Sequence, residues 1–258
     1  MSEHPIAARW RAVGRAALIP YLTAGFPTPE QSLEALRRVA AAGAAFVEVG
    51  VPFSDPLADG PTIQRSTQAA LDQGMTVPRV LELIHRAALP IPVIVMTYLN
   101  PVIAFGVERF VRAAAAAGAS GLLLTDLPAG ADPAVEAVVT ASPLVLIRLV
   151  APTTTPERVA CAVRGAGGFV YLISRLGVTG ARDRVPPDLA EHVARVRAAS
   201  SLPVAVGFGI STPDQARRAA AVADGVVVGS AIVDALGAGG PPAAERLVRE
   251  LAAAARHA

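Results

Sequence analysis

The chain has 258 residues, a formal net charge of +2 and 53% hydrophobic residues. This length suits one α/β barrel domain, and the apolar content is sufficient for a large core. The 23 residues counted as lysine or arginine are all arginine, because the sequence contains no lysine. The lack of lysine excludes a Schiff-base aldolase and a pyridoxal-phosphate anchor, since both use a lysine amine.

Charge and residue patterns argue against several other classes of protein. The arginines are scattered along predicted helices without interleaved aromatic residues, which argues against a nucleic-acid site. Apolar runs end well before the roughly 18 residues of a membrane helix, and the N-terminus lacks a signal-peptide pattern. The four histidines have no partners at metal-ligand spacing, so no metal site is predicted. The single cysteine, Cys161, excludes an internal disulfide, favours the cytoplasm and is expected in the core.

In chain order, short apolar or β-branched runs alternate with helical stretches about eight times, which is typical of parallel strands joined by helices. The predicted strands are Leu18–Thr23, Phe46–Val51, Val93–Thr97, Gly121–Thr125, Leu144–Val150, Phe169–Ser174, Val204–Gly207 and Val226–Val228. The predicted helices between them are Pro29–Ala42, Thr62–Gln73, Val107–Ala117, Pro133–Thr140, Pro156–Gly165, Pro187–Ala199, Pro213–Val222 and Ala243–His257.

Two additional short helices are predicted at Pro78–Ala88 and Ala231–Leu236. No linker or low-complexity tract divides the chain, so residues 1–258 are predicted to form one domain. The fold class predicted is α/β, with a single (β/α)8 barrel, or TIM barrel, and extra short helices. Chemistry is then expected at the carboxyl ends of the strands.

The segment from Phe46 to Thr62 contains the strongest candidates for catalysis. Side chains alternate along a strand, so Glu48 lies on the face opposite its two valine neighbours. A buried, charged and unpaired glutamate is unfavourable by several kcal/mol. Glu48 is therefore expected either to perform chemistry or to form a structural ion pair, for instance with Arg148. Asp59, in a loop rich in proline and glycine, could reach the same cavity, which predicts two acids at the mouth of a pocket.

Three glycine-rich loops follow the last three predicted strands. They are Ser174–Ala181, Gly207–Ser211 and Gly229–Ser230, and the third precedes a short helix. Glycine allows backbone N–H groups to approach a ligand, and a helix N-terminus attracts anions. A single glycine is usually only a turn residue. Three such loops at the corresponding strand ends predict a phosphate site, which in a chain without lysine would rely on backbone dipoles.

With these residues described, the chain resembles the tryptophan synthase alpha subunit family from end to end. The most specific motif runs from Glu48 to Gln64 and reads Glu-Val-Gly-Val-Pro-Phe-Ser-Asp-Pro-Leu-Ala-Asp-Gly-Pro-Thr-Ile-Gln. Supporting motifs are Leu22–Gly25, Met96–Pro101, Asp126–Pro128, Ala151–Thr154, Gly177–Gly180 and Gly207–Ile210. One departure follows Asp-Leu-Pro, where the family usually has an acidic pair and this chain has Ala129-Gly130-Ala131-Asp132.

The resemblance implies a reversible retro-aldol cleavage of indole-3-glycerol phosphate to indole and D-glyceraldehyde 3-phosphate. Glu48 is the expected acid–base catalyst, with a pKa raised towards neutrality by apolar surroundings. Asp59 is expected to stay ionised and to accept the indole N–H as positive charge develops there.

The resemblance also implies the remaining contacts with substrate. Phosphate-binding residues are expected to be Gly180, Gly209, Gly229 and Ser230. Tyr171 would orient Glu48 or the glycerol hydroxyls, or would only pack in the barrel. Thr179 lies in a loop expected to act as a lid, with its hydroxyl engaging Asp59 on closure. The apolar slot for the indole ring is expected to be formed by Tyr21, Ile63, Leu99, Leu123 and Phe208, although any of them could be ordinary core.

The partner implied by the resemblance is a tryptophan synthase beta subunit in an α2β2 complex, docked on Pro52–Asp59 and Asp126–Pro128. This chain is expected to need no cofactor, with pyridoxal phosphate only in the beta subunit. Neither nucleic acid nor a membrane is expected as a partner. Two alternatives stay open: a freestanding lyase that releases free indole, and a catalytically silent barrel, against which the intact Glu48 and Asp59 argue.

Overall fold

The computed structural model describes residues 3–14, 16–173, 187–207 and 209–256. Eight parallel strands form a closed barrel in sequence order, with β1 paired to β8, which confirms the predicted (β/α)8 fold. The strands are β1 Ala17–Thr23, β2 Val47–Gly50, β3 Val93–Thr97, β4 Ala119–Leu124, β5 Val145–Val150, β6 Val170–Ile173, β7 Val204–Gly207 and β8 Gly225–Val228.

The helices surround this barrel or extend its ends, and many begin at a proline. They are α1 Pro5–Val13, α2 Pro29–Ala41, α3 Pro61–Asp72, α4 Val77–Ala87, α5 Leu99–Phe105, α6 Val107–Ala117, α7 Pro133–Thr140, α8 Pro156–Ala162, α9 Leu189–Ala199, α10 Pro213–Ala220 and α11 Ser230–Arg256. Thr28, Asp132 and Thr212 cap α2, α7 and α10 by accepting hydrogen bonds from backbone N–H groups. Proline suits the first helical position because its missing N–H would have no partner there.

Some predicted elements differ from the structure. Helices α1 and α5 were not expected, and α11 covers both of the last two predicted helices. Gly239 and Gly240 interrupt α11 with non-helical backbone, so two helical pieces remain, as the sequence predicts. The expectation that Cys161 is a core residue is wrong, because Cys161 is exposed while Val159 is the buried residue of α8.

Two hydrophobic cores follow from the alternation of side chains along the strands. Val47 and Val49 point outward into the core between strands and helices. Phe46, Ile94 and Phe169 point inward and belong to the core inside the barrel. Glu48 therefore shares the inward direction of Phe46, as predicted.

Helix α1 covers the amino end of the barrel. The ring of Trp10 lies 4.9 Å from the ring of Phe46 and 5.7 Å from that of Phe169, and Ile6 is fully buried in the same inner core. The carboxyl end of the barrel is thus left for the site. None of the helices in the described part of the chain has the length and apolar character needed to cross a bilayer.

Candidate active site

Glu48 lies in the interior of the barrel near its carboxyl end. It is on β2, in register with Tyr21 of β1 and Ile94 of β3, and its exposure is 1%. Neither carboxylate oxygen has a hydrogen-bond partner among the described residues. Burial disfavours the charged form and raises the pKa of Glu48 to about 8. At neutral pH this carboxyl group is therefore mostly protonated and can act as an acid.

Asp59 lies in the loop between β2 and α3 and is also buried. Its backbone N–H donates to the Pro56 carbonyl at 3.0 Å, and its own carbonyl accepts from the Gln64 side chain at 2.9 Å. Burial raises the pKa of Asp59 to about 6, although a hydrogen bond with Tyr98 acts in the opposite direction. Asp59 is therefore mostly ionised at neutral pH, in contrast to Glu48.

Tyr98 is a site residue that the sequence reasoning missed. It lies between β3 and α5, and its ring centroid is 5.3 Å from that of Phe53. Its hydroxyl accepts a hydrogen bond from the Ala58 N–H at 2.9 Å and is hydrogen bonded to the Asp59 carboxylate. The available signal was its place in the motif Met96–Pro101, which joins a strand end to a helix.

Two tyrosines lie inside the barrel, each against a glycine of the next strand. A Cβ on Gly50 would lie 2.0 Å from the hydroxyl of Tyr21, and one on Gly207 would lie 2.1 Å from that of Tyr171. Only glycine leaves room for these rings. The charge of Glu48 contributes to raising the pKa of both tyrosines, after burial, and Asp59 contributes at Tyr21. Tyr21 thus lies within electrostatic reach of both acids.

The predicted apolar slot residues that the structure describes lie in three different places. Tyr21 and Ile63 form one small cluster with Val233, and Phe26 and Met96 pack against it. Leu123 is fully buried inside the barrel, in the same cluster as Tyr171. Leu99 packs instead against the core between strands and helices. Phe208 lies outside the described residues.

Three further apolar residues on barrel strands were not anticipated. Met96, Leu149 and Ile173 pack against the inner cluster while remaining partly exposed. Each is at or near the carboxyl end of its strand. They therefore lie between the closed inner core and the open end of the barrel.

Of the predicted phosphate-binding loops, the structure describes Gly229–Ser230 in full and Gly207–Ser211 in part. Gly229 and Ser230 lie at the start of α11, where the Gly229 carbonyl accepts from the N–H groups of Ile232 and Val233. Because the first N–H groups of a helix have no partner within it, they can bind an anion. Gly209 has φ of +82°, which favours glycine. Thr179 and Gly180 lie outside the described residues.

The alternative of an ion pair between Glu48 and Arg148 is wrong. Arg148 lies on the outer face of β5, where it pairs with Glu136 of α7 and donates to the Leu127 carbonyl at 3.3 Å. Glu48 points to the inside of the barrel, so β-strand alternation keeps the two side chains apart. In the described ranges, no three histidine, cysteine or acidic side chains are grouped so that they could hold a metal ion.

Comparisons with known proteins match the chain to one family. The family model described as tryptophan synthase alpha chain matches residues 7–257. The tryptophan synthase alpha chain of Gluconacetobacter diazotrophicus is 46% identical over 256 residues, covering 95% of this chain and 93% of the relative. That of Opitutus terrae is 47% identical over 251 residues, covering 96% and 93%.

Solved structures give the same result for the three-dimensional fold. A chain of Mycobacterium tuberculosis tryptophan synthase superposes with a TM-score of 0.89 at 44% identity, covering 98% of this chain and 97% of that chain. The tryptophan synthase subunit alpha of Legionella pneumophila superposes with a TM-score of 0.90 at 33% identity, covering all of both chains.

Proposed function

The chain belongs to the tryptophan synthase alpha chain family, and from this premise we propose that Glu48 and Asp59 catalyse its lyase reaction. That reaction is the retro-aldol cleavage of indole-3-glycerol phosphate to indole and D-glyceraldehyde 3-phosphate in L-tryptophan biosynthesis. The observation that carries the proposal is the pair of buried carboxyl groups whose pKa values lie on opposite sides of neutrality, about 8 for Glu48 and about 6 for Asp59. Such a separation keeps Glu48 protonated and Asp59 ionised at neutral pH, so that Glu48 can donate a proton while Asp59 accepts a hydrogen bond.

The proposed mechanism moves one proton through Glu48. Protonated Glu48 delivers its proton to C3 of the indole ring, and Asp59 accepts a hydrogen bond from the indole N–H as positive charge develops on nitrogen. The ionised Glu48 then takes the proton of the adjacent glycerol hydroxyl while the carbon–carbon bond breaks. Indole leaves, the hydroxyl carbon becomes the aldehyde, and Glu48 is again protonated.

The remaining contacts are proposed to orient the substrate. Tyr21 and Ile63, clustered beside Asp59, support an apolar wall for the indole ring, to which Leu99, Leu123 and Phe208 are proposed to contribute. Tyr171 is proposed to orient Glu48 or the glycerol hydroxyls. Gly180, Gly209, Gly229 and Ser230 are proposed to bind the phosphate through backbone N–H groups, with Thr179 on a lid.

No cofactor is proposed for this chain. The chemistry is proton transfer between the Glu48 carboxyl group and the substrate, and the sequence contains no lysine to form a Schiff base. Pyridoxal phosphate is proposed to belong to the beta subunit. The protein is proposed to act in the cytoplasm.

A lyase assay that follows indole release tests the assignment. Glu48→Gln and Asp59→Asn should each lower kcat by about 10²–10⁴-fold, the usual worth of one acid–base group. Gly209→Ala, strained at its positive φ, should raise KM more than it lowers kcat. Asp72→Asn, at the far end of α3, is the matched control and should keep wild-type rates. More than a tenth of wild-type activity in a folded Glu48→Gln variant would refute the proposal.

A beta subunit is the proposed partner, docked over the carboxyl end of the barrel. Leu57 and Ile103 are the large hydrophobic side chains that remain exposed in the described residues, at 89% and 51%. They lie after β2 and β3 respectively, on the side of the molecule that holds the two acids. A subunit docked on this face would cover both side chains, and direct transfer would retain a small, neutral indole molecule.

Mixing the protein with the beta subunit of the same organism tests this proposal. A stable α2β2 complex by sizing, with faster indole formation, is expected. Ile103→Asp should weaken the complex, whereas Ala198→Asp, an exposed change in the last turn of α9, should not. A fast lyase that forms no complex would instead select the freestanding enzyme.

A further inference from the structure

We propose that Asp126, which lies outside the pocket, is a positioning residue that holds Asp59 in place through Tyr98. The inference rests on the proposed role of Asp59. It concerns the loop between β4 and α7, residues 125–132.

The first link joins Asp126 to the start of α5. Helix α5 begins at Leu99, and the preceding residue, Tyr98, makes no side-chain hydrogen bond to the helix. The carboxylate of Asp126 accepts a hydrogen bond from the Leu99 N–H at 2.7 Å. A carboxylate at this place satisfies a backbone N–H that the helix cannot use. Asp126 therefore holds the peptide next to Tyr98 from a different strand end.

The second link joins Tyr98 to Asp59. The backbone held by Asp126 aims the Tyr98 ring at Phe53, with 5.3 Å between the ring centroids. The hydroxyl then contacts both the Ala58 N–H and the Asp59 carboxylate. One side chain thus sets both the path of the loop and the position of its acid.

Asp126 can act as a support because its own loop is braced. The Thr125 N–H donates to the Thr97 carbonyl at 3.0 Å, which joins the loop to the end of β3. The buried Arg148 donates to the carbonyl of Leu127, and its ion-pair partner Glu136 accepts from the Gly130 N–H at 2.6 Å. The loop is therefore held on both sides of Asp126.

The electrostatic consequence has a definite sign. Among the described residues, Tyr98 is the titratable side chain that acts on the pKa of Asp59; Asp59 in turn raises the pKa of Tyr21, and Asp126 raises that of Tyr98. The hydrogen bond from Tyr98 favours ionised Asp59 and lowers its pKa. Loss of the hydrogen bond from Tyr98 must therefore raise the pKa of Asp59 and narrow the pH range in which Asp59 is charged.

The experiment compares pH–rate profiles of the chain without a partner. Asp126→Ala should lower kcat/KM by about tenfold, because Asp59 is then held less well in position. It should also move the acidic limb of the profile to higher pH. Asp126→Asn retains an oxygen acceptor for the Leu99 N–H and should restore the wild-type profile. Tyr98→Phe should shift the same limb, and adding Asp126→Ala to it should produce no further shift.

Asp132→Ala is the matched control, because Asp132 caps α7 from the same loop by accepting from the Val135 N–H at 3.0 Å. It should lower thermal stability without moving the acidic limb. Asp126→Glu, with a displaced carboxylate, replaces Asp126→Ala if that variant does not fold. If Asp59→Asn is inactive, two results overturn the inference. One is an acidic limb that Asp126→Ala does not shift, and the other is a shift by Asp126→Ala that adds to that of Tyr98→Phe. An active Asp59→Asn overturns the proposed function itself.

Discussion

At the scale of single residues, the two carboxyl groups of this site differ in their pKa. Glu48 and Asp59 are both carboxylic acids, but Glu48 has no hydrogen-bond partner in the described part of the chain, whereas Asp59 is hydrogen bonded to Tyr98. Full burial without a partner favours the neutral form, and a hydroxyl donor favours the ion. The environment therefore keeps Glu48 protonated and Asp59 ionised at neutral pH.

The raised pKa of Glu48 predicts an unusual dependence of stability on pH. Its pKa is about 8 in the folded chain and 4.5 as the reference for the unfolded chain, so between these values only the folded state keeps the proton. The contribution of Glu48 to the free energy of unfolding is therefore complete at low pH and decreases as pH rises from about 4.5 to about 8, by about 1.4 kcal/mol for each pH unit inside that window.

Glu48→Gln removes this titration. Its free energy of unfolding in urea should rise relative to the wild type as pH increases through that window. Glu82→Gln, at an exposed position of α4, should differ from wild type by an amount independent of pH. A pH-independent difference for Glu48→Gln as well would contradict the buried, neutral carboxyl group.

At the scale of elements, strand alternation decides which face each polar side chain serves. On β2 it sends Glu48 into the barrel, and on β5 it sends Arg148 outward to α7. Within the described ranges Glu48 has no ionic partner, whereas Arg148 has Glu136. The same alternation thus places the proposed catalytic carboxyl group inside the barrel on β2 and one member of a structural ion pair outside it on β5.

The Arg148–Glu136 pair should show an asymmetric response to substitution. Arg148 is 3% exposed and Glu136 is 19% exposed, so only the carboxylate retains some contact with water when left alone. Glu136→Gln should therefore destabilise the fold by about 3–5 kcal/mol, and Arg148→Met by less. Urea unfolding measures both.

Arg112→Met is the control, since Arg112 and its partner Glu108 are both 72% exposed on α6. It should leave stability almost unchanged. Equal losses for Glu136→Gln and Arg148→Met would mean that the buried guanidinium is solvated after all.

At the scale of the whole molecule, the two ends of the barrel have different tasks. Helix α1 closes the amino end with Ile6 and Trp10, and the carboxyl end carries the two acids. The only tryptophan of the chain thus reports on the end opposite the site.

The single domain predicted from the sequence implies that this end unfolds with the rest. Trp10 fluorescence and far-ultraviolet circular dichroism should show the same urea midpoint and slope. Trp10→Phe keeps an aromatic ring beside Phe46 and Phe169 and should show by circular dichroism a transition of similar slope. An earlier transition by fluorescence would indicate that α1 and the barrel unfold separately.

The sequence by itself determined the strand order, the inward direction of Glu48 and the family, because periodicity and motifs are local properties of the chain. Tertiary structure alone decided that Arg148 pairs with Glu136, that Cys161 faces solvent and that Tyr98 contacts Asp59. It also decided that α1 closes the barrel, with Trp10 against Phe46. Tyr98 and Asp59 are far apart in sequence, and they meet because a closed barrel brings the ends of neighbouring strands together at one rim.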